Sequence, residues 1–183
     1  MRIVSGIFKG RRFSPPPAIT ARPTTDFAKE SLFNVLNNRL EWDALTVLDL
    51  FAGTGSISYE FASRGVKRVV SVEMSDKQLG FIHKVLHELS LEKRIFPVKM
   101  NVFRYIQQGK ETFDLIFADP PYMLPELPKL PAMIFSSKLL KDNALFILEH
   151  SANNNFTTHP HFMEERVYGN VHFSLFCDSG NLK

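Results

Sequence analysis

The chain contains a single cysteine, Cys177, among its 183 residues. One cysteine excludes an internal disulfide, and its place after the apolar run Phe173–Phe176 predicts a small buried side chain rather than a nucleophile. The chain also lacks any apolar run long enough to cross a bilayer, and its basic first residues lack the apolar core of a signal peptide. We therefore expect a soluble, cytoplasmic protein that does not bind membranes.

Histidines are also few and scattered along the chain. His83 and His87 lie one helical turn apart, but no third metal ligand accompanies them, so we expect this pair on a solvated helix flank. The remaining histidines form no triad with Cys177 or a serine, which argues against a hydrolase. The sequence therefore predicts neither a metal site nor covalent catalysis.

What the chain does contain is enough apolar material, 44% of its residues, for one domain with a full core. Short apolar runs alternate with helix-spaced ones, which predicts a doubly wound α/β sheet. We expect strands at residues 45–50, 68–73, 95–100, 113–118 and 144–149, and a closing hairpin formed by residues 162–168 and 171–177.

The apolar run at residues 113–118 ends in the tetrapeptide Asp119-Pro120-Pro121-Tyr122. Because proline has no N–H and makes the preceding residue extended, two prolines in series leave carbonyl acceptors without competing donors. Asp119 adds a carboxylate at a strand end, where open α/β sheets bind ligands, and Tyr122 offers a ring for base stacking. The segment predicts a cup that holds a planar amine and favours its attacking, pyramidal form. An ordinary strand-ending turn is the alternative.

A glycine turn follows the first predicted strand and contains Phe51, Gly53 and Gly55. Glycines let the backbone turn tightly and approach a ligand closely, and the helix that begins there presents unpaired N–H groups. A dinucleotide fingerprint would place a third glycine at Ser58, and a phosphate loop would end in Gly-Lys-Ser/Thr, which is absent. The turn therefore predicts a nucleotide-like ligand other than NAD or ATP.

Polar residues end three of the predicted strands. Asp49 precedes the glycine turn and suits a ligand with a cationic head, such as the amino group of S-adenosylmethionine (SAM). Glu73 ends the second strand 24 residues later, a spacing at which βαβ units present an acid to ribose hydroxyls. Asn101 follows the third strand and is a candidate for the adenine edge. The alternatives are a strand-capping Asp, an acid at a helix start and a helix-capping Asn.

With these residues the chain resembles the SAM-dependent methyltransferases, and closely the RsmD family of 16S ribosomal RNA guanine-N2 methyltransferases. The resemblance covers nearly the whole chain. It rests on residues 2–6 and 9–11, on Arg22-Pro23-Thr24-Thr25-Asp26 leading into Glu30–Asn34, on residues 48–56, and on the Asp-Pro-Pro-Tyr segment. The Arg-Pro-Thr-Thr stretch is discriminating, because many amino-methylases share the other motifs. The run Ile57-Ser58-Tyr59 departs from the small and leucine-rich helix start usual in the family.

The resemblance implies a Rossmann-like class I SAM methyltransferase. Its sheet would be doubly wound, mostly parallel and seven-stranded with an antiparallel last strand, and a basic N-terminal β-hairpin would precede it. The implied reaction moves a methyl group from SAM to the N2 amine of one guanine of 16S ribosomal RNA, position 966 in the usual numbering, within the small ribosomal subunit. Expected cofactor contacts are Asp49, Phe51, Gly53, Gly55, Glu73, Asn101 and Asp119, and the expected catalytic residues are Asp119, Pro120, Pro121 and Tyr122.

The net charge of +3 is unevenly distributed, with +5 on residues 1–40 and −2 on the remainder. A basic arm on a nearly neutral body predicts a phosphate-backbone partner, and Phe8 and Phe13 would interleave stacking rings. A solvated hairpin is the alternative. We divide the chain into an RNA-facing extension, residues 1–24, and a methyltransferase domain, residues 25–183, and expect a monomer. The candidate RNA-binding residues are Arg2, Lys9, Arg11, Arg12 and Arg22.

Rival functions remain open at this point. A DNA adenine or cytosine amino-methyltransferase shares the amine cup but usually carries a separate target-recognition region, for which 183 residues leave no space. A protein glutamine methylase would more typically carry Asn in place of Asp119. A nonenzymatic assembly factor that only binds ribosomal RNA would not need the glycine turn, the acid at the ribose position and the amine-binding cup together. The target base rests on the resemblance alone, because the cup holds guanine, adenine or cytosine amines equally well.

Overall fold

The computed structural model describes residues 1–17 and 25–177. Within these ranges seven strands form one sheet, in the spatial order β3-β2-β1-β4-β5-β7-β6. The strands are β1 (Thr46–Leu50), β2 (Arg68–Glu73), β3 (Ile95–Lys99), β4 (Phe113–Ala118), β5 (Leu140–His150), β6 (Phe162–Tyr168) and β7 (Val171–Cys177). The α-helices of the same ranges are α1 (Asp26–Asn37), α2 (Ser56–Ser63), α3 (Asp76–Leu89), α4 (Val102–Gln108) and α5 (Leu130–Phe135).

Strands β1 to β5 run parallel, and β7 runs antiparallel between β5 and β6. This arrangement confirms the predicted doubly wound sheet with an antiparallel ending. The strand order reverses between β1 and β4, where Leu50 is paired with Ala118. Ligands of open α/β sheets bind beyond the carboxyl ends of the strands at such a switch point. The fold therefore places the glycine turn and Asp119 side by side at the binding edge.

Both faces of the central strands are covered, which explains their nearly continuous apolar sequences. Phe117 and Ile147 pack on one face in a cluster with residues of α1, α2 and α3, while Ile116 and Phe146 pack on the other with residues of α4 and α5. Cys177 is fully buried, as its apolar setting predicts. Among the described residues, no helix is both long and apolar enough to span a membrane.

Helix α1 begins at Asp26, because the Thr25 hydroxyl accepts a hydrogen bond from the Ala28 N–H at 3.1 Å and caps the helix. Helix α3 buries one apolar face, which includes Leu79, Ile82 and Leu86. The predicted position of His83 and His87 on its exposed flank is confirmed.

The N-terminal segment pairs less regularly than the predicted β-hairpin. An isolated antiparallel bridge joins Arg2 and Arg12, and Ile3 exchanges backbone hydrogen bonds with Arg11 and Gly10 at 3.0 and 2.8 Å. Continuous strands do not form in residues 1–17, because the N–H groups of the intervening loop bond to α2 instead of to a partner strand. Residues 1–13 therefore form a paired loop docked on a helix.

Helix α2 holds this loop through two polar side chains. The Glu60 carboxylate accepts hydrogen bonds from the Val4 and Ser5 N–H groups at 2.8 and 3.1 Å. The Ser63 hydroxyl accepts from the Phe8 N–H at 3.0 Å. Gly6 has φ 79°, and a Cβ there would lie 1.9 Å from the Ser63 carbonyl oxygen, so only glycine fits this close approach.

Docking also buries aromatic rings of the segment. Phe13 is only 7% exposed and joins the core cluster of α1 and α2, and Phe8 packs against that cluster. The expectation that Phe13 interleaves a ring for RNA stacking is therefore wrong. Phe13 alternates with basic residues in the sequence, but the pairing of Phe13 with Met1 turns its side chain inward.

Candidate active site

A cavity of about 640 Å³ opens at the carboxyl ends of the central strands. Cavities of roughly 300–1,000 Å³ are typical for cofactors and small ligands. Of the predicted cofactor and catalytic residues, those lining the cavity are Asp49, Phe51, Gly53, Glu73, Asn101, Asp119, Pro120, Pro121 and Tyr122. Gly55 is not among the lining residues and instead caps α2. The structure thus brings the other nine predicted residues together from four separate segments of the chain.

The glycine turn adopts a left-handed backbone at three positions. Phe51, Gly53 and Gly55 have φ values of 60°, 57° and 81°. A Cβ at Gly55 would lie 2.6 Å from the Tyr59 ring, so a larger residue would displace the start of α2. Phe51 adopts this conformation without being glycine, which costs about 1–3 kcal/mol and is typical of functional segments.

Glu73 fastens the glycine turn to β2. Its Oε2 accepts a hydrogen bond from the Gly53 N–H at 2.9 Å, and its Oε1 accepts from the Met74 and Ser75 N–H groups at 2.8 Å each. In the orientation that satisfies its own hydrogen bonds, the Gln78 amide also donates to both oxygens at 2.9 Å. The carboxylate therefore sets the shape of the turn, and ribose hydroxyls would share or replace these donors.

Asp49 lies on the floor of the cavity and is 1% exposed. Its Oδ2 accepts a hydrogen bond from the Ser58 hydroxyl, which in turn lies 2.6 Å from the Ser71 hydroxyl. Burial raises the pKa of Asp49 to about 7, an effect that hydrogen bonds from the Ser58 hydroxyl and backbone only partly offset. A ligand cation beside Asp49 would favour the ionised carboxylate.

Asn101 caps α4. Its Oδ1 accepts hydrogen bonds from the Phe103 and Arg104 N–H groups at 3.0 and 3.2 Å. The helix-capping alternative is therefore confirmed for the oxygen of this side chain. Asn101 still lines the cavity, so its Nδ2 group is the part of the amide that addresses an adenine in our hypothesis.

The Asp-Pro-Pro-Tyr segment continues from β4 across the top of the sheet. The Asp119 N–H donates to the Leu50 carbonyl at 3.3 Å, which holds Asp119 beside the end of β1. The Pro121 carbonyl accepts from the Leu124 N–H at 2.9 Å and closes a turn. Of the two proline carbonyls, that of Pro121 is thus engaged within its own loop.

Glu149 is a cavity residue that our sequence reasoning missed. It is 3% exposed, and its Oε1 accepts a hydrogen bond from the Tyr122 hydroxyl at 3.0 Å. The sequence pattern assigns Glu149 to the end of an apolar strand and gives it no function. Glu149 nevertheless shares the sequence feature that identifies Glu73 and Asp119 as candidates, because it is an acid at the carboxyl end of a buried parallel strand.

Of the predicted RNA-binding residues, the four that the structure describes, Arg2, Lys9, Arg11 and Arg12, are not among the residues that line this cavity. Arg2 forms ion pairs with Asp26 and Glu30 at 3.4 and 3.7 Å, and Arg11 pairs with Glu88 at 2.7 Å. Exposed ion pairs of this kind stabilise a protein by only about 0–1 kcal/mol. Two other candidates, Lys9 and Arg12, are exposed, and the remaining candidate, Arg22, lies outside the described residues.

Lys29 also contributes to the positive charge of residues 1–40 but is not at the surface. Its side chain is 1% exposed, and its Nζ donates to the Arg2 carbonyl at 2.6 Å and to the Ser56 hydroxyl at 3.1 Å. Burial lowers the pKa of Lys29, although neighbouring acids oppose the shift. The charge presented to solvent is therefore smaller than the sequence count indicates.

Beside the cavity, β5, β6 and β7 bring together His150, Glu165 and His172, whose ligand-type atoms lie within 4.8 Å of one another. The buried His150 ring lies 2.8 Å from both the Ser151 carbonyl and the Ser174 hydroxyl, and His172 Nδ1 is 3.2 Å from Glu165. Burial lowers the pKa of His150, which favours a neutral ring. These hydrogen bonds give the cluster a structural role in joining the last three strands.

The chain is similar to known proteins along nearly its whole length. The chain is 30% identical over 96% of its length to ribosomal RNA small subunit methyltransferase D of Escherichia coli strain K12, covering 89% of that protein. It is 28% identical to the protein of the same name from Buchnera aphidicola subsp. Baizongia pistaciae, over 99% of this chain and 93% of that one. The solved structure of the Escherichia coli protein yhhF matches with a TM-score of 0.83 and 27% identity, over 97% of each chain. Since the model of the family described as Conserved hypothetical protein 95 matches residues 1–177, the chain belongs to that family, the RsmD family that its motifs resemble.

Proposed function

We propose that this protein transfers a methyl group from SAM to the exocyclic N2 amine of a guanine in 16S ribosomal RNA, of the position 966 type. Its relatives carry the name ribosomal RNA small subunit methyltransferase D. The observation that carries the proposal is the convergence of Asp49, Glu73 and Asp119 on one cavity beyond the ends of three adjacent strands. The glycine turn and two of these acids suit a cationic nucleoside, while the third lies beside two prolines and a tyrosine that suit an amine.

The cofactor half of the cavity extends from the glycine turn to α4. In this proposal Glu73 accepts hydrogen bonds from the ribose hydroxyls, Asp49 faces the cationic amino group, and Asn101 addresses adenine. Phe51 and the backbone of Gly53 line the space between them. When bound, SAM supplies an electrophilic methyl group on a positively charged sulfur.

The base half orients the amine for in-line attack. Tyr122 provides the stacking face, and the Asp119 carboxylate and Pro120 carbonyl accept the two amine hydrogens, which directs the nitrogen lone pair towards the methyl group. A carbon–nitrogen bond forms as the carbon–sulfur bond breaks, which leaves a neutral thioether. The amine then loses one proton, and Asp119 is positioned to accept it.

The RNA surface in this proposal includes the extension, residues 1–24, next to the methyltransferase domain, residues 25–183. The exposed side chains of Lys9 and Arg12 contact phosphates directly, whereas Arg2 and Arg11 exchange their acidic partners for phosphates. By resemblance, Arg22 contacts the base or a flanking phosphate. Because one chain supplies every proposed residue of the site, a monomer is sufficient for activity in this proposal. A ribosomal substrate places the proposed reaction in the cytoplasm.

A tritium-transfer assay with labelled SAM tests the proposal. Small ribosomal subunits from a strain lacking the gene, free ribosomal RNA, DNA and total protein are offered separately, and mass spectrometry identifies the methylated nucleoside. We expect transfer to small-subunit RNA and recovery of N2-methylguanosine. Transfer to adenine or cytosine, to DNA or to protein would each contradict the proposal, and so would RNA binding without transfer.

A further inference from the structure

Two acids occupy matched positions at the carboxyl ends of neighbouring strands. Ala118 of β4 is paired in register with Leu148 of β5, and the next residues are Asp119 and Glu149. Adjacent strands lie about 4.8 Å apart, and residues at matched positions direct their side chains to the same face. Both acids line the cavity. The base half of the site therefore contains two carboxylates, of which the Asp-Pro-Pro-Tyr motif accounts for one.

Glu149 lies at the hydroxyl end of the proposed stacking ring. Its Oε1 is 3.0 Å from the Tyr122 hydroxyl, and its side chain is nearly excluded from bulk solvent at 3% exposure. A carboxylate accepts up to about four hydrogen bonds, so in our hypothesis Glu149 accepts one from a base in addition to those it makes within the protein. A base stacked on Tyr122 with its amine at Asp119 therefore places its adjoining ring nitrogen towards Glu149.

The bases that carry an exocyclic amine differ at that ring nitrogen. Guanine has an N1–H donor next to its N2 amine, so its edge offers adjacent hydrogens to two acceptors. Adenine N1 and cytosine N3 are acceptors, and each would direct a lone pair at the carboxylate. A buried carboxylate next to such a lone pair loses a hydrogen bond and gains none, which penalises both bases.

We propose that Glu149 is the residue that selects guanine, by accepting the N1–H hydrogen bond while Asp119 and Pro120 hold the N2 amine. The inference rests on the proposed function, because it concerns the base that enters the same cavity. It resolves the ambiguity of the Asp-Pro-Pro-Tyr cup, which accommodates the amines of all three bases. Selection comes from a second strand rather than from the motif itself.

A different role for Glu149 would be to hold Tyr122 in place through the 3.0 Å hydrogen bond. The two roles predict different results for Tyr122→Phe, which keeps the stacking ring and removes only the hydroxyl. If Glu149 acts through Tyr122, this variant reproduces the defect of Glu149→Ala. If Glu149 contacts the base, Tyr122→Phe keeps the wild-type preference between bases.

The experiment compares guanine with 2-aminopurine, which keeps the amine at C2 but has an unprotonated N1. Small subunits are reconstituted with 16S RNA that carries either base at the methylated position, and kcat/KM is measured with labelled SAM. We expect the wild-type enzyme to prefer guanine, and Glu149→Ala to reduce that preference about 10- to 100-fold, the value of one hydrogen bond to a buried charge. The change between enzymes isolates N1, since the loss of O6 is common to both.

Controls keep the result interpretable. Glu149→Gln conserves size and one acceptor oxygen, so we expect its preference for guanine over 2-aminopurine to lie between those of wild type and Glu149→Ala. Calorimetry should show unchanged SAM affinity in every variant. An unchanged preference in Glu149→Ala, with the wild type still methylating guanine, overturns this inference alone, as does a Tyr122→Phe variant with the same reduced preference. A wild-type enzyme that methylates adenine or cytosine instead overturns the proposed function as well.

Discussion

The two halves of the cavity are built differently. In the cofactor half, acids are already engaged by the protein's own donors, since Glu73 accepts from three backbone N–H groups and Asp49 from Ser58. These residues lie within one βαβ unit of about 30 residues. In the base half, Asp119 and Glu149 come from different strands and are separated by a helix and a long loop. The two acids of the cofactor half are thus close in sequence, whereas the sheet brings the two acids of the base half together from distant positions.

This difference predicts that substitutions in one half leave the other half's ligand largely unaffected. The cofactor half should respond in SAM affinity, and the base half should respond in turnover. The extension should respond in RNA affinity and its dependence on salt. Four predictions follow from this division, in decreasing order of effect.

Asp119→Ala should reduce methyl transfer the most, by about 10²- to 10⁴-fold in kcat, because it removes the group that orients the amine and accepts its proton. SAM affinity, measured by calorimetry, should stay within a few fold of wild type. Asp119→Asn is the matched control, since it keeps one acceptor but cannot take up the proton. A variant that retains most of its turnover would remove Asp119 from the chemistry.

Glu73→Ala should weaken SAM binding by about 10- to 100-fold, because a charge-assisted hydrogen bond to ribose is lost and the Gly53 N–H loses its partner. RNA affinity, measured by filter binding, should stay unchanged. Glu73→Gln keeps an acceptor for one N–H, so its affinity for SAM should lie between those of wild type and Glu73→Ala. Equal calorimetric affinities for SAM in wild type and Glu73→Ala would contradict the ribose role.

The affinity for SAM should depend on pH through Asp49. Burial raises the pKa of Asp49 to about 7, so below that pH the free protein holds a proton that a cationic ligand must displace. Affinity should therefore rise with pH up to about 7, by roughly tenfold per unit below it, and level off above. Calorimetry in buffers of different ionisation enthalpy should detect proton release at pH 6, and Asp49→Asn should abolish both effects. A flat profile in the wild type would exclude contact between Asp49 and the cationic head.

The smallest effect is expected for the double variant Lys9→Ala and Arg12→Ala, which should lower RNA affinity only a few fold at moderate salt. Two lost phosphate contacts should reduce the slope of log affinity against log salt by about 1.4–1.8. Lys110→Ala is a matched control, because this lysine is also exposed but lies in the loop before β4, outside the extension. An equal loss in the control would attribute binding to general charge rather than to the extension.

The strands and the cofactor half could be predicted from the sequence because both depend on short-range patterns. Apolar runs ending in Asp49, Glu73 or Asp119 marked the binding edge, and the hairpin around Gly169 and Asn170 was correct. Glu149 carries the same local signal, an acid at the carboxyl end of a buried strand, but only the register between β4 and β5 shows that it lies beside Asp119.

Two expectations for the N-terminal segment were not met for a related reason. The alternation of basic and aromatic residues indicated an exposed hairpin, but packing against α2 overrode the local pattern. The N–H groups of the loop donate hydrogen bonds to Glu60 and Ser63 instead of to a partner strand. Burial of the apolar Phe13 ring in the core is favourable, so the ring is not exposed for stacking.

Helix α2 begins at the glycine turn and also carries Glu60, which holds the N-terminal loop and pairs with Arg64 at 2.9 Å in a buried setting. The cofactor end and the loop end of this helix are separated by barely two helical turns. Damage to Glu60 should therefore be pleiotropic, so that a genetic screen for impaired RNA recognition would also recover substitutions there that impair cofactor use. Clean separation of the two phenotypes requires changes confined to the outward-facing side chains of the loop.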